Sequence, residues 1–203
     1  DVYKRQVHTL ERYFTKPGVT SLALTDGMAE ALLRNVMRNA RLALQKPADY
    51  DVRAEIMWAG TLSHNDITGD RSQGDWASHQ LEHELGGMFD IAHGAGLAAI
   101  WGSWARYVLK QNPCRFAQLA VNVLNVPYSF GNDEKTALEG IAAMEDFFRS
   151  IGMPTSISDM EIELTDTQIK ELAHKCSFMG RRTIGGFVTL NAADMENIYR
   201  MAR

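Results

Sequence analysis

Apolar residues recur at helical spacing along nearly the whole chain, and this periodicity restricts the fold more than any other feature. Met28, Leu32 and Val36, for example, follow one another at intervals of four and fall on one helical face. No segment shows the strict alternation of a β-strand. We therefore predict one compact all-α domain of about nine helices. The predicted helices cover residues 7–14, 20–45, 49–62, 93–109, 113–124, 133–151, 166–176 and 192–201, together with one that Asp75 caps.

Charge and composition exclude several classes of protein. The net charge of −4 argues against a surface for nucleic acid or anionic membranes, because both need a basic face. No apolar run reaches the roughly 18 residues of a membrane helix, and no apolar leader follows the first residues. Cys114 and Cys176 form no CxxC pair. Two reduced thiols are typical of a cytoplasmic protein, which is the predicted location.

Three of the six histidines lie within one short segment, which reads WASHQLEHELGGMFDIAHGAGL from Trp76 to Leu97. His79 and His83 are four residues apart, so on a helix they share one face. His93 follows a Gly-Gly break and stands where a second helix can begin. Histidines placed in this way can converge on one metal ion.

The same segment resembles the metal-binding signature of iron-containing alcohol dehydrogenases, and in particular the branch of butanol dehydrogenases. The similarity extends to VHTLERYFT near the start, to the residues that follow His93, and to FMGRRTIGGFVTL in the tail. This resemblance implies that the chain is the C-terminal, metal-binding all-α domain of such an enzyme. It also implies reversible hydride transfer between NADH or NADPH and an aldehyde or primary alcohol.

The resemblance also implies a set of metal ligands. In the family one aspartate and three histidines hold the ion, and the three histidines correspond to His8, His79 and His93. The aspartate is expected four residues before His8, where this chain has Lys4. A lysine ammonium donates hydrogen bonds and repels a cation, so it cannot act as a ligand while protonated. Either the natural protein lacks the site, or residues 1–6 are not native; we favour the second, because the similarity begins at Val7.

The predicted organisation is therefore a non-native or truncated start at residues 1–6 and a single helical metal-binding domain at residues 7–203. No strand, glycine-rich loop and helix unit for a dinucleotide occurs in the sequence. The resemblance places that unit in an N-terminal α/β domain, so NADH or NADPH would bind through a part absent from this chain. It also implies a homodimer for the intact enzyme, and this chain alone is not expected to catalyse hydride transfer.

Each predicted ligand type suits a Lewis-acid metal. Fe²⁺ and Zn²⁺ both accept imidazole and carboxylate ligands, so the sequence leaves the divalent metal open between them. The resemblance places His83 beside the substrate and the nicotinamide, where it could relay a proton or position the substrate. Glu82 lies three residues after His79 and is predicted to orient that ring. His64 is predicted to be solvated.

Two other readings of the sequence remain open. Residues 79–83 also match H-x-x-E-H, the inverted zinc-peptidase motif, with Glu82 as general base and Glu161 or Glu163 as a third ligand. That peptidase class contains clear strands, which the sequence does not predict. The third reading is a non-catalytic helical domain in which the histidines only pack.

Overall fold

The computed structural model describes residues 2–14, 23–69 and 74–203, with side chains from Val7 onward. Within these ranges the chain forms α-helices and two short 3₁₀ turns, and the only strand-like pairing described is an isolated bridge between Ile184 and Leu190. The all-α prediction is confirmed. None of the described helices combines the length and apolar character needed to cross a bilayer. The helices are α1 (Val2–Tyr13), α2 (Ala23–Gln45), α3 (Tyr50–His64), α4 (Ala77–Phe89), α5 (His93–Val108), α6 (Pro113–Leu124), α7 (Asp133–Ser150), α8 (Asp166–Cys176) and α9 (Ala192–Ala202).

Helix α5 forms the centre of the domain. Its sequence is apolar or small on every side, and after the first turn almost all of its residues are buried. It packs against α1, α4, α7 and α9. Trp101 and Trp104 are among the largest fully buried side chains. Because α5 begins at His93, the first residue of the most buried helix also belongs to the histidine cluster.

The helix ends follow the capping residues of the sequence. Asn112, Asn132 and Thr165 each accept a hydrogen bond from the backbone N–H three residues later, and Asn191 caps α9 in the same manner. These caps explain why the predicted boundaries of α6 to α9 agree with the structure to within one residue. The predicted start of the second helix, at residues 20–22, lies outside the described residues.

Helix α1 is fixed to α2 and α6 through the residue at its C-terminal end. The guanidinium of Arg115 lies 3.7 Å from the ring centre of Tyr13 and donates to its carbonyl at 2.7 Å. Arg115 also binds Asp26 through two parallel hydrogen bonds. The Tyr13 hydroxyl donates to Glu30 at 2.9 Å. This network sets the position of α1, the helix that carries His8.

The start of α4 is held by the tail of the chain. The Asp75 carboxylate accepts from the backbone N–H of Phe187 at 2.8 Å and of Ala77 at 3.1 Å. A Cβ on Gly186 would lie 2.1 Å from the Gly74 carbonyl oxygen, so only glycine permits this approach. The prediction that Asp75 is the N-cap is wrong by one residue. Trp76 occupies the N-cap in a left-handed conformation, with φ of 59° and no capping bond from its own side chain.

Candidate metal centre

The break between α4 and α5 brings three histidine rings together. Asp90 ends α4 in the left-handed conformation, with its N–H bonded to the Gly86 carbonyl, and the chain then turns into α5 at His93. The ring centres of His79 and His93 are 5.4 Å apart, as are those of His83 and His93. His79 and His83 are 6.2 Å apart. His79 is buried, while His83 is exposed on the solvent side.

A fourth histidine joins the cluster from α1. The ring centre of His8 lies 4.7 Å from that of His79. Trp76 flanks both rings, at 5.3 Å from His8 and 5.2 Å from His79. The structure therefore places all three predicted ligands in one cluster around His79. The side chain of Lys4, at the position of the expected aspartate, lies outside the described residues.

His64 also touches the cluster, which the sequence did not predict. Its ring lies 4.2 Å from that of His8 with an interplanar angle of 34°. Its Nδ1 atom is 2.8 Å from the Gly60 carbonyl and 2.9 Å from the Ser63 hydroxyl. The residue is exposed, as predicted, but it is the C-terminal residue of α3 and covers the outer face of His8.

Glu11 on α1 orients His79. One carboxylate oxygen, Oε1, accepts from the backbone N–H of His79 at 3.1 Å and lies 3.0 Å from Nδ1 of the same residue. The backbone N–H groups of Trp76 and Ser78 also bond to this carboxylate. Glu11 thus caps α4 from another helix, in place of the side chain that Trp76 does not supply. The prediction that Glu82 orients His79 is wrong, because Glu11 has this role.

Glu82 instead contacts His93. Its Oε2 atom forms a short hydrogen bond with Nδ1 of His93 across the break between the two helices. Gly96 makes room for it, since a Cβ there would lie 2.7 Å from Cγ of Glu82. Gly86 borders the same carboxylate, with a Cβ distance of 3.1 Å to Oε1. Two glycines of the signature therefore serve to accommodate Glu82.

Burial perturbs both glutamates. Removal from water raises the pKa of Glu11 to about 8, against the lowering effect of three backbone N–H bonds. The same cause raises the pKa of Glu82 to about 7. Nearby Asp75 has its pKa raised to about 8 by burial and, secondly, by the charge of Glu11. A divalent cation bound by the neighbouring histidines would favour the ionised forms of these acids.

The donor set fits a metal ion. Two imidazoles that bind one ion at the usual distance of about 2.0–2.1 Å, with a tetrahedral angle, have ring centres about 5 Å apart. The separations of His8 from His79 (4.7 Å) and of His79 from His93 (5.4 Å) agree with this value. His79 and His93 each turn Nδ1 towards a carboxylate, as metal-bound histidines usually do. Among the described residues, the group whose potential ligand atoms all lie within 4.8 Å of one another is Glu82, His83 and His93, which contains one of the three predicted ligands.

The structure does not favour the zinc-peptidase reading. Glu82 would be the general base in that reading, but its carboxylate is bonded to His93. Glu161 and Glu163, the candidates for a third ligand, are exposed on the segment that precedes α8. The described residues also lack the strands of that peptidase class.

Comparison with known proteins gives consistent results. The C-terminal profile of the Fe-containing alcohol dehydrogenase family matches residues 6–203. The chain is 36% identical over 193 residues to the probable NADH-dependent butanol dehydrogenase 1 of Bacillus subtilis (strain 168), covering 95% of this chain and 48% of that protein. It is 32% identical to the NADPH-dependent aldehyde reductase YqhD of Escherichia coli (strain K12), covering 97% of this chain and 49% of that protein.

The fold matches as well. The substrate- and cofactor-free form of aldehyde reductase YqhD from E. coli has a TM-score of 0.90 to this structure, covering 100% of this chain and 52% of that chain. The NADH-dependent butanol dehydrogenase A of Thermotoga maritima gives 0.89 at 28% identity, with 99% and 50% covered. The chain spans about half the length of these relatives. It belongs to the Fe-containing alcohol dehydrogenase family, and it matches the C-terminal region of that family.

Proposed function

We propose that this chain is the metal-binding part of an NAD(P)H-dependent alcohol dehydrogenase or aldehyde reductase similar to butanol dehydrogenases. The observation that carries the proposal is the cluster of His8, His79 and His93, in which two rings have Nδ1 on a buried carboxylate. Imidazoles held in this way are typical of metal ligands. Membership of the Fe-containing alcohol dehydrogenase family supports a metal at this site.

In the proposed site, His8, His79 and His93 would hold a divalent ion, Fe²⁺ or Zn²⁺. When bound, such an ion supplies Lewis-acid stabilisation of negative charge on a substrate oxygen. The half-buried ring of Trp76 lies against His8 and His79 and covers that side of the cluster. Excluding water strengthens electrostatic interactions at the reacting oxygen.

We assign proton transfer to His83. Its ring stacks beside His93 at 5.4 Å, yet the residue is exposed. A histidine in this position can pass a proton between the substrate oxygen and bulk water, because an imidazole can both accept and donate a proton. The hydride would come from NADH or NADPH, held by a part of the enzyme beyond this chain. Both cofactors occur in the names of the relatives.

The remaining parts of the proposal concern the whole protein. The substrate is a small aldehyde or primary alcohol, and the intact enzyme is a homodimer in the cytoplasm. Residues 1–6, including Lys4, are not native, and an aspartate at position 4 would complete the ligand set. Aldehyde-dependent oxidation of NADH or NADPH by the full-length enzyme tests the activity, and sedimentation analysis tests the dimer.

Metal titration tests the site itself. Fe²⁺ and Zn²⁺ affinities are measured by competition with a chromogenic chelator for this chain, for Lys4→Asp and for His79→Ala. We expect one ion per chain, tighter binding in Lys4→Asp, and loss of binding in His79→Ala with the helical circular dichroism spectrum retained. Equal affinity of His79→Ala and the parent chain would refute the proposed ligand set.

A further inference from the structure

The same spacing of histidine and glutamate occurs twice in the cluster. Glu11 lies three residues after His8 on α1, and Glu82 lies three residues after His79 on α4. Glu11 reaches across to His79, and Glu82 reaches across to His93. Each helix therefore carries one predicted ligand and the carboxylate that orients the predicted ligand on the next helix.

The two contacts have the same chemical consequence. A neutral imidazole bears its proton on one nitrogen only, and the hydrogen bond of that nitrogen decides which one. An ionised carboxylate only accepts, so Nδ1 of His79 and of His93 must be the protonated nitrogen in these pairs. The lone pair then stands on Nε2, at the opposite edge of each ring. With both glutamates ionised, each ring would therefore have the tautomer that binds a metal through Nε2.

We propose that Glu11 and Glu82 are positioning residues that hold His79 and His93 with Nδ1 protonated and Nε2 directed to the shared ion. The inference rests on the proposed metal site and extends it to two residues outside the ligand set. Both carboxyl groups are buried, with residue exposures of 3% for Glu11 and 1% for Glu82. Glu11 contacts the His79 imidazole and backbone N–H groups, and Glu82 contacts the His93 imidazole. A cation on the far side of the imidazoles would stabilise the ionised form of these buried carboxylates.

A purely structural role does not account for both residues. Glu11 does cap α4, because it accepts N–H bonds at the start of that helix. Glu82 lies inside α4, where the backbone N–H groups are already bonded within the helix, so it caps nothing. Its carboxylate instead spans the turn to His93, in the space left by Gly96. Glu82 is therefore the residue with which to test the inference.

The first experiment measures histidine tautomers by ¹⁵N NMR in the metal-free chain. The spectra are recorded at about pH 9, well above the ordinary pKa values of glutamate and histidine side chains. We expect the Nδ1–H form for His79 and His93. Glu82→Ala should shift His93 towards the Nε2–H form and leave His79 unchanged, so that His79 serves as an internal control. An Nε2–H form of His93 in the parent chain, or an unchanged tautomer in Glu82→Ala, would overturn the inference.

The second experiment measures Zn²⁺ affinity by chelator competition. We expect Glu82→Ala to weaken binding about 10–100-fold. Glu82→Gln should recover part of the loss, because its amide oxygen still accepts from Nδ1–H while the charge is gone. Glu84→Ala is the matched control, since Glu84 lies on the same helix towards Lys175 and Cys176 and should leave affinity unchanged. Equal affinity in Glu82→Ala and Glu84→Ala would refute the inference.

The two experiments separate failure of the inference from failure of the proposed function. A parent chain that binds Zn²⁺ tightly while Glu82→Ala behaves identically leaves the metal site intact and removes the role of Glu82. Lack of metal binding in both the parent chain and Lys4→Asp contradicts the proposed function. In that case the tautomers of His79 and His93 in the metal-free chain still decide whether the glutamates orient the rings.

Discussion

Replacing Gly96 by alanine tests how closely the residues of the candidate metal centre are packed. The added Cβ would lie 2.7 Å from Cγ and 2.8 Å from Oε1 of Glu82, and 2.9 Å from Cδ1 of Ile91. Carbon atoms pack at about 3.5–4.0 Å, so Glu82 must move by roughly 1 Å. Because Glu82 is buried against His93, this displacement breaks the hydrogen bond that orients the His93 ring.

Gly96→Ala should lower both the metal affinity and the stability of the chain. Loss of an orienting partner weakens metal binding about 10–100-fold, which corresponds to about 1.4–2.7 kcal/mol. Overpacking costs about 1–3 kcal/mol of stability, and the better helix propensity of alanine returns up to about 1 kcal/mol. We therefore expect a net loss of stability of about 1–2 kcal/mol in the metal-free chain. Chelator competition with Zn²⁺ measures the first effect, and urea unfolding measures the second.

Gly87→Ala is the matched control on the neighbouring helix. Gly87 is exposed in α4, and a Cβ there would meet nothing within 4 Å. This substitution should raise stability by about 0.5–1 kcal/mol and leave Zn²⁺ affinity unchanged. The reasoning is refuted if Gly96→Ala binds Zn²⁺ as tightly as Gly87→Ala, because Glu82 would then have moved without consequence for His93.

Three further predictions concern packing, thiol reactivity and pH. Gly140→Ala should destabilise the chain by about 1–2 kcal/mol in urea unfolding. The new Cβ would lie 2.4 Å from the Cβ of Ala120 across the α6–α7 contact. A variant more stable than the parent chain would contradict the close packing of α6 on α7. Cys114 is exposed, whereas burial raises the pKa of Cys176 to about 11. A thiol reagent should therefore modify Cys114 quickly and Cys176 only on unfolding. Rapid modification of both thiols would argue against the buried position of Cys176. Burial raises the pKa of Asp75 to about 8 in the folded state, whereas the unfolded side chain loses its proton near pH 4. The free energy of unfolding should therefore fall as pH rises across that window, by up to about 1.4 kcal/mol per pH unit for this proton. Asp75→Asn should flatten this slope in urea titrations, and an unchanged slope would count against a buried, protonated Asp75.

The helices could be predicted from local sequence because their signals are local. Asn112, Thr165 and Asn191 cap the helices that follow them, and the apolar periodicity of α5 predicts its burial. The predicted start of α4 agrees less well with the structure. Trp76 supplies no cap, and the capping carboxylate comes from Glu11, which is 68 residues away from His79 in sequence. Contacts of this kind depend on tertiary packing and leave no local pattern.

The contacts of the candidate site also differ in how far they could be predicted from local sequence. The convergence of His79, His83 and His93 follows from helical spacing and a glycine break, so the segment alone predicts it. The contact between His8 and His79 could be expected only through the resemblance to a family. The stacking of His64 on His8 depends on where α3 ends relative to α1, and no local sequence pattern predicts it. The repeated H-x-x-E spacing was a visible signal, but its partners could be identified only in three dimensions.

The central claim is that His8, His79 and His93 bind one metal ion, and X-ray absorption spectroscopy of the Zn²⁺-loaded chain tests it most directly. The account predicts three imidazole nitrogens at about 2.0–2.1 Å, two after His8→Ala, and three after His83→Ala. Two imidazoles in the parent chain, still two in His8→Ala and one in His83→Ala would instead place the ion at Glu82, His83 and His93. A shell of oxygen ligands without imidazole would contradict the metal centre altogether.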